Sequence, residues 1–393
     1  MSTADVVVIG GGVNGLSTAF NLAKLGAGKV VLLERGELGS GASGKSGALV
    51  RMHYTNPYES KLAYESLKIF QNWANEVGGD CGWAPQGFVE VVAPGFEDDL
   101  AANIRDQQEI GINTRIITTD DLQELYPEIN VEDVGSAAYE PDSGWADPNA
   151  TTYSFAQAAI GLGVEIKIHC EVISIVVQDG KVTGVQTTDG RIATETVVAA
   201  PGIGAGQLLG PLGLDPGLYP QRTKVALFRR PLGFRGNQPV VIDAINDAWM
   251  RADDGGLTLI GAESGSLRGE TDGFDQTIDN AYIEVARNSL SNRFPIYRNA
   301  VMRGGWAGLY SMSPDHRPII DQPESVEGLY MMVGDSGSSF KTSPAIGKCL
   351  AEWIVHGEPQ TADLSPFNLA RFESDNPWLA DSNYGRRGRT ISR

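Results

Sequence analysis

The first 35 residues alternate between short apolar runs and helical spacing. Residues 5–9 (Asp-Val-Val-Val-Ile) form a continuous run rich in β-branched side chains, typical of a strand buried on both faces of a parallel sheet. A second such run covers 29–33 and ends before Glu34. Between the runs, Gly26 follows apolar positions at helical spacing and is a plausible helix stop. Those positions are Leu16, Ala19, Phe20, Ala23 and Leu25. The pattern predicts a β-α-β unit.

Helical and strand patterns also alternate along the rest of the chain. The apolar spacing predicts helices over 51–77, 98–110, 120–127, 151–162, 279–293 and 343–356. It predicts strands over 87–93, 197–200, 222–230, 239–251 and 257–263, and a hairpin over 164–188 that turns at Asp179-Gly180. This order indicates an α/β protein in which two domains are interleaved along the chain.

Composition narrows the classes of function. With 31 Lys and Arg against 49 Asp and Glu, the net charge of −18 argues against binding to nucleic acid or to an anionic membrane surface. No apolar run is long enough to span a membrane, and Asp5 precedes the first apolar stretch, so neither a membrane span nor a signal segment is expected. Three scattered cysteines without a CxxC pair fit a reducing cytoplasm. No cluster with ligand spacing predicts a metal.

Glycines occupy the turn between the first strand and the first helix. Gly10, Gly12 and Gly15 have the spacing GxGxxG. The first glycine allows the tight turn, the second lets a pyrophosphate approach the backbone, and the third lets helix and strand pack closely. Glu34, at the end of the second strand, is placed to accept hydrogen bonds from a ribose. These features predict a dinucleotide site; the alternative is a glycine-rich turn in another α/β fold.

The motif alone does not decide between FAD and NAD. The dinucleotide strand begins at residue 5, and no separate second α/β domain follows, which favours FAD. Beyond this motif, the sequence resembles the FAD-dependent D-amino-acid oxidase superfamily. It is most similar to the branch of sarcosine, glycine, dimethylglycine and proline oxidases and dehydrogenases, including the sarcosine oxidase beta subunit. The resemblance rests on residues 6–35, 39–54, 197–202, 308–321 and 334–347.

The resemblance implies a Rossmann-like FAD-binding domain interleaved with an antiparallel-sheet substrate domain. The order of elements places the FAD domain at 1–80, 140–220 and 320–375, and the substrate domain at 81–139 and 221–319. The basic tail, 376–393, lacks a period, so we expect disorder there or, alternatively, a contact in an oligomer. The residues expected to bind FAD are Gly10, Gly12, Val13, Asn14, Gly15, Glu34, Arg35, Ser40, Ser43, Gly44, Lys45, Ser46, Gly47, Val172, Gly202, Gly308, Gly337, Ser338, Ser339, Phe340 and Lys341.

Three residues match the family's catalytic positions. Arg51, after an apolar strand-like run, and Lys341 match the two cations that bind the substrate carboxylate; the alternative for each is a surface cation. Tyr310 matches an active-site tyrosine and is otherwise a packing aromatic. His53 and His316 are more consistent with structural roles than with a catalytic base.

The chain departs from the family pattern at several positions. Gly308 occupies the position of a flavin-linking cysteine, so we expect non-covalent FAD. The region of Trp145 lacks the histidine that carries a second flavin in the heterotetrameric relatives. Leu259 aligns best with the oxygen-activating lysine of the monomeric oxidases, and Ala48 with their second arginine. Oxidase and dehydrogenase activity therefore both stay open, with O₂ or another electron acceptor.

The predicted function is FAD-dependent oxidation of the C–N bond of an amino acid or N-substituted amino acid. Hydride transfer to the flavin would give an imine, which water hydrolyses. One alternative is a flavoprotein subunit of a hetero-oligomeric amine dehydrogenase. Another is a different redox enzyme, such as a flavin monooxygenase or a nicotinamide-dependent dehydrogenase. A homo-oligomer is also open.

Overall fold

A computed structural model describes residues 2–262, the backbone of 267 and 268, and residues 273–373. Its strands are β1 Ser2–Thr3, β2 Val6–Ile9, β3 Val30–Leu33, β4 Leu49–Val50, β5 Phe88–Val92, β6 Arg115–Ile117, β7 Ser136–Glu140, β8 Gly144–Trp145, β9 Glu165–Lys167, β10 Val172–Gln178, β11 Lys181–Thr187, β12 Gly190–Ala193, β13 Val197–Ala199, β14 Tyr219–Arg229, β15 Val240–Asp243, β16 Ala248–Asp253, β17 Leu257–Ala262, β18 Leu267–Arg268, β19 Met302–Met312, β20 Ile319–Asp321 and β21 Leu329–Val333. Its α-helices are α1 Val13–Lys24, α2 Pro57–Gln71, α3 Trp73–Glu76, α4 Glu97–Ile110, α5 Thr119–Leu125, α6 Pro148–Gly161, α7 Ala205–Leu209, α8 Asn280–Arg293 and α9 Ser343–His356.

A six-stranded sheet forms the centre of the first structural unit, with the order β20-β21-β13-β2-β3-β9. All of its neighbours pair in parallel except β20 and β21. Successive residues of β2 face opposite cores: Val6 and Val8 pack with helices α1, α6 and α9, whereas Val7 and Ile9 pack towards β10–β12 and α7. The all-apolar run therefore has the structure that its pattern predicts, a strand buried on both faces.

A nine-stranded sheet forms the centre of the second unit, with the order β18-β14-β17-β16-β15-β5-β7-β6 and with β19 paired to β14. Within the described residues, β5 and β15 are the only neighbours in this sheet that pair in parallel. Helix α8 covers one face. Its strands come from two stretches of the chain, 88–140 and 219–312. In the sequence, the strands of the six-stranded sheet come before, between and after these stretches. The α/β class is confirmed, whereas the domain boundaries stay a prediction.

Two predicted elements were wrong in extent. The helix expected over 51–77 begins only at Pro57, because the Asn56 side chain accepts a hydrogen bond from the Glu59 N–H and proline favours the first helical position. The strand expected over 239–251 is two strands, β15 and β16. The Asp243 carboxylate accepts the N–H groups of the next residues, Ile245 and Asn246, and turns the chain.

Three further predictions concern a hairpin, membrane-spanning helices and the C-terminal tail. The hairpin at Asp179-Gly180 is confirmed: β10 and β11 pair from Gln178 and Lys181 onwards, and both turn residues have positive φ. Among the described helices, none is long and apolar enough to cross a membrane. The tail 376–393, for which disorder was expected, lies outside the described residues.

A buried ion pair fastens α8 to the second sheet. The Arg293 Nε donates to Asp243 Oδ2 at 2.8 Å, and both side chains are fully buried. The same guanidinium reaches Asp133 Oδ1 at 3.0 Å, so one cation joins a helix, a strand and a loop.

We expect Asp243→Asn to destabilise the protein by about 3–5 kcal/mol, because it leaves a buried guanidinium with incomplete charge compensation. The free energy of unfolding in urea measures this. Glu284→Gln, which removes an exposed partner of Arg287, is the control and should leave the urea midpoint nearly unchanged. Equal midpoints for Asp243→Asn and the unmodified protein would contradict the role of this pair.

Candidate functional site

The turn between β2 and α1 has room only for glycine at two positions. A Cβ on Gly10, whose φ is +107°, would overlap the Ala200 carbonyl oxygen. A Cβ on Gly15 would overlap the Gly10 carbonyl oxygen, because α1 packs directly onto the turn. These contacts bring the first turn of α1 to the carboxyl end of β2, between β13 and β3, where open parallel sheets bind ligands.

The N-terminus of α1 is suited to an anion. Gly12 is its N-cap residue, without a side-chain cap, and the first turn contains no acidic residue. The Val13 N–H donates to Ser43 Oγ at 3.0 Å, so a serine of the second glycine-rich loop already lies at the helix end. Amide N–H groups and the helix dipole together favour a phosphate here.

A cleft of about 1180 Å³ opens from this helix end. Ten residues expected to bind the cofactor line it: Gly10, Gly12, Val13, Asn14, Glu34, Arg35, Ser40, Ser43, Lys45 and Gly202. Its remaining lining includes Phe274, Leu309, Ser311 and Asp335, which the sequence did not indicate. Val172 lines a neighbouring cavity that shares Gly10, Glu34 and Arg35.

Glu34 holds the glycine turn as well as lining the cleft. Its Oε2 accepts the Gly11 N–H at 2.6 Å, and its Oε1 accepts the Gly36 N–H at 2.7 Å. The carboxylate is thereby fixed at the end of β3, at the edge of the cleft. A fixed carboxylate in this place is suited to accept ribose hydroxyl groups.

A second cavity lies between the two sheets. The three predicted catalytic residues, Arg51, Tyr310 and Lys341, all line it, so the fold brings together residues that are up to 290 positions apart. Five residues expected to contact the flavin also line it: Ser46, Gly47, Gly337, Ser338 and Phe340. Of the other expected residues, Gly15, Gly44, Gly308 and Ser339 line neither cavity.

Tyr54 connects the two cations, and the sequence did not indicate it. The Arg51 guanidinium lies 4.7 Å from the centroid of the Tyr54 ring. Lys341 Nζ donates to the Tyr54 hydroxyl at 2.9 Å and to the Ser338 carbonyl at 3.1 Å. Arg51 is 5% and Lys341 7% exposed, so neither is a surface cation. The available signal was the place of Tyr54 at the end of the loop that contains Arg51.

The second sheet contributes an aromatic wall. Trp249 of β16 and its register partner Ile242 of β15 line the cavity. Trp249 fits between two glycines: a Cβ on Gly47 or on Gly261 would overlap its indole ring. Arg251, two residues further, donates from Nε to the Gly47 carbonyl at 2.5 Å. The nine-stranded sheet of the second unit thus fixes the loop of the first unit that contains Gly47.

Burial determines the protonation of His53. Burial and the nearby Arg51 charge lower the pKa of His53 to about 3, so the imidazole is neutral at physiological pH and a very weak base. His316, the other histidine considered, has its Nε2 2.9 Å from the Tyr219 hydroxyl. The structural role expected for both histidines stays a prediction. No group of three potential metal ligands occurs among the described residues.

A helix end free of acidic side chains at the carboxyl edge of a parallel sheet is the usual way to hold a dinucleotide, so fold and cleft define a dinucleotide-binding protein. Comparison with protein families makes the class specific. The chain belongs to the DAO family of FAD-dependent oxidoreductases, which it matches over residues 5–353. FAD is therefore its cofactor, as expected.

Individual relatives cover nearly all of the chain. It is 27% identical to mitochondrial sarcosine dehydrogenase of Homo sapiens, over 98% of this chain but only 43% of that protein. It is 28% identical to sarcosine oxidase subunit beta of an Arthrobacter species, over 94% of this chain and 91% of that subunit. The crystal structure of L-proline dehydrogenase from P. horikoshii matches with a TM-score of 0.89 at 25% identity, over 96% of this chain and all of that one. The chain thus spans less than half the length of the sarcosine dehydrogenase.

We expect Gly12→Val to yield folded protein without FAD. The φ of −79° and ψ of 173° at Gly12 suit any residue, and a Cβ there meets only Ser43 Oγ, at 3.1 Å. The added side chain would occupy the space that a pyrophosphate needs. Flavin absorbance per protein measures the loss. Gly206→Val, whose Cβ meets nothing within 4 Å, is the control. Full FAD content in Gly12→Val would contradict this assignment.

Acid or heat should release FAD from the purified protein into the supernatant. Glycine occupies position 308, and Cys81, Cys170 and Cys349 are buried thiols that line neither cavity. Flavin fluorescence of the supernatant and the pellet measures the partition. Flavin that stays with the precipitated protein would show a covalent link.

Proposed function

We propose that this protein oxidises the C–N bond of an amino acid or N-substituted amino acid, with Arg51 and Lys341 holding the substrate carboxylate. The observation that carries the proposal is the convergence of two buried cations and Tyr310 in one cavity beside the dinucleotide cleft. Two buried cations that line one pocket favour an anionic ligand, and arginine binds carboxylates through two parallel hydrogen bonds.

The remaining lining residues have positioning roles in this proposal. Tyr54 and Ser338 orient the Lys341 ammonium through hydrogen bonds, and the Tyr54 ring supports the guanidinium of Arg51. Phe340 and Trp249 limit the access of water, which strengthens the attraction between cations and carboxylate. The substrate amine must be neutral so that its carbon can release a hydride.

FAD, when bound, supplies the ring that accepts the hydride. We propose that residues of the first cleft hold its nucleotide half, and that Ser46, Gly47, Gly337, Ser338 and Phe340 face its reactive half. Burial lowers the pKa of Lys45, which remains a cation available to balance negative charge on the cofactor. The domain boundaries at 80, 140, 220 and 320 accompany this assignment, because both cavities lie where the two units meet.

The electron acceptor is a separate part of the proposal. Leu259, at the position that resembles the oxygen-activating lysine, is buried and cannot carry a charge. A dehydrogenase that passes electrons to another acceptor is therefore open beside an oxidase. Flavin reoxidation by O₂, followed after anaerobic reduction, distinguishes the two. Three buried free cysteines are consistent with the cytoplasmic location that we propose.

A second candidate is a flavoprotein subunit of a hetero-oligomeric amine dehydrogenase complex that is not active alone. The relative named sarcosine oxidase subunit beta aligns with this chain over 91% of its length, which supports this alternative. Size-exclusion chromatography with light scattering and turnover of the isolated chain test it. Turnover by a monomer or homo-oligomer would contradict the need for another subunit.

We expect Arg51→Met to lose about 2–5 kcal/mol of substrate binding, because a charge-assisted and largely buried contact to the carboxylate disappears. The measurement is the rate at which the flavin is reduced under anaerobic conditions. It compares an amino acid as the reductant with the corresponding decarboxylated amine. The unmodified protein should prefer the acid strongly, and Arg51→Met should lose most of that preference while keeping its FAD.

Arg115→Met provides a matched control. Arg115 also stacks on a tyrosine, at 4.7 Å from the Tyr139 ring centroid, but it is exposed and far from the cavity lining. It should keep the preference for the acid. If the unmodified protein reduces its flavin equally fast with the plain amine, both the carboxylate site and the substrate class are wrong.

A further inference from the structure

Glu90 is a carboxyl group that the proposed reaction does not use. It lies on β5 and is fully buried. Neither of its carboxyl oxygens has a hydrogen-bond partner among the described residues. A buried, unpartnered carboxylate is costly, so such a group either keeps its proton or answers to a nearby charge.

The geometry links Glu90 to the back of Arg51. Phe88, two residues before Glu90 and on the same sheet face, has its ring centroid 5.7 Å from the Arg51 guanidinium. Ile242, the register partner of Glu90 on β15, lines the same cavity as Arg51. Glu90 therefore belongs to the layer of side chains on this sheet face, beside the cavity-lining Ile242.

A second buried carboxyl group, Glu140, belongs to the same layer. It is the register partner of Phe88 on β7, and its Oε2 accepts the Met52 N–H at 3.0 Å and the Ser143 hydroxyl at 2.5 Å. Glu140 thus holds the backbone next to Arg51, whereas Glu90 makes no comparable bond.

The charges around the pair set its protonation. Burial raises the pKa of Glu90 to about 8 and that of Glu140 to about 7. The Arg51 charge opposes both shifts, and at Glu140 the hydrogen bonds from the Met52 N–H and the Ser143 hydroxyl oppose the shift more strongly. The charge of Glu140 and then that of Asp243 further raise the pKa of Glu90, and the charge of Asp142 further raises the pKa of Glu140. His53, on the segment that carries Arg51, is neutral. Near neutral pH the layer therefore contains the Arg51 cation, a protonated Glu90 and a Glu140 that is partly ionised.

We infer that Glu90 and Glu140 are proton-holding positioning residues behind Arg51, and that a carboxylate which binds at Arg51 causes the pair to take up a proton from solvent. The inference rests on the proposed function, since it takes Arg51 as the carboxylate site. An ionised Glu90 or Glu140 competes with the ligand for the charge of Arg51, whereas a protonated one leaves that charge available.

The sign of the pH dependence follows from this competition. A bound carboxylate adds a negative charge near the pair and raises the pKa of both groups further. At pH values between the pKa of such a group in the free protein and its pKa in the complex, binding of the carboxylate takes up protons. The Kd of a carboxylate then increases as pH rises above about 7, by up to about tenfold per pH unit for each proton taken up. Above the pKa values of the bound state, the Kd becomes constant.

Acetate binding to the FAD-loaded protein tests the inference, because acetate carries a carboxylate but no amine to oxidise. Flavin absorbance reports the Kd between pH 6.5 and 9, and calorimetry in two buffers of different ionisation enthalpy reports the protons taken up. We expect proton uptake and a Kd that rises with pH. In Glu90→Gln the uptake near pH 8 should disappear, and acetate should bind several-fold more tightly than to the unmodified protein at pH 9.

Two controls separate the possible outcomes. Glu284→Gln removes the same charge from the exposed face of α8 and should keep the proton uptake. Arg51→Met should lose acetate binding. Acetate binding that requires Arg51 but takes up no proton would overturn the inference and leave the proposed function intact. Acetate binding that is absent, or unchanged in Arg51→Met, would overturn both. Absence of proton uptake in the unmodified protein would overturn the inference even if Glu90→Gln does not fold.

Discussion

The contact between Gly15 and the carbonyl oxygen of Gly10 determines where helix α1 begins, and the sites depend on that position. Because no Cβ intervenes, the helix starts directly at the carboxyl edge of the parallel sheet. Its N-terminus is then close enough for Ser43 Oγ to accept the Val13 N–H. This bond fixes the loop of residues 39–47, which continues through β4 to Arg51. One steric constraint thus positions the dinucleotide cleft directly, and the cavity that contains Arg51 through the chain that follows.

Two buried cations in one cavity require compensation, and the structure provides it in different ways. Lys341 donates to a hydroxyl and a carbonyl, so its charge is solvated by dipoles. Arg51 lies against the faces of Tyr54 and Phe88, which attract a cation through their quadrupoles. Behind it are carboxyl groups whose pKa values are raised to about 7 and 8. In the proposed function, the two cations of this cavity hold the substrate carboxylate.

Local patterns allowed the sequence to predict the β-α-β unit, the hairpin at Asp179 and helix α9, because each depends on neighbours within a few residues. Arg51 and Lys341 were predictable only through resemblance, since their meeting depends on the whole fold. Tyr54, Trp249 and Glu90 were not predicted as site residues. Trp249 and Glu90 belong to strands of the second sheet, where the register between strands decides what each side chain faces. The start of α2 was also missed, because the Asn56 cap outweighs an apolar spacing that extends further back.

The second sheet contacts the loop of residues 39–47 as well as the cavity that contains Arg51. Arg251 Nε donates to the Gly47 carbonyl, and Trp306 Nε1 donates to the Lys45 carbonyl at 2.9 Å. Lys45 lines the dinucleotide cleft, and Gly47 lines the cavity that contains Arg51. The loop therefore has one residue in each site, and the same sheet holds it at both. Since Glu90 and Trp249 belong to that sheet, a change in substrate-side packing can move the cofactor loop without touching a cofactor contact. The cleft and the cavity thus share one loop that the second sheet holds, although their residues come from separate parts of the chain.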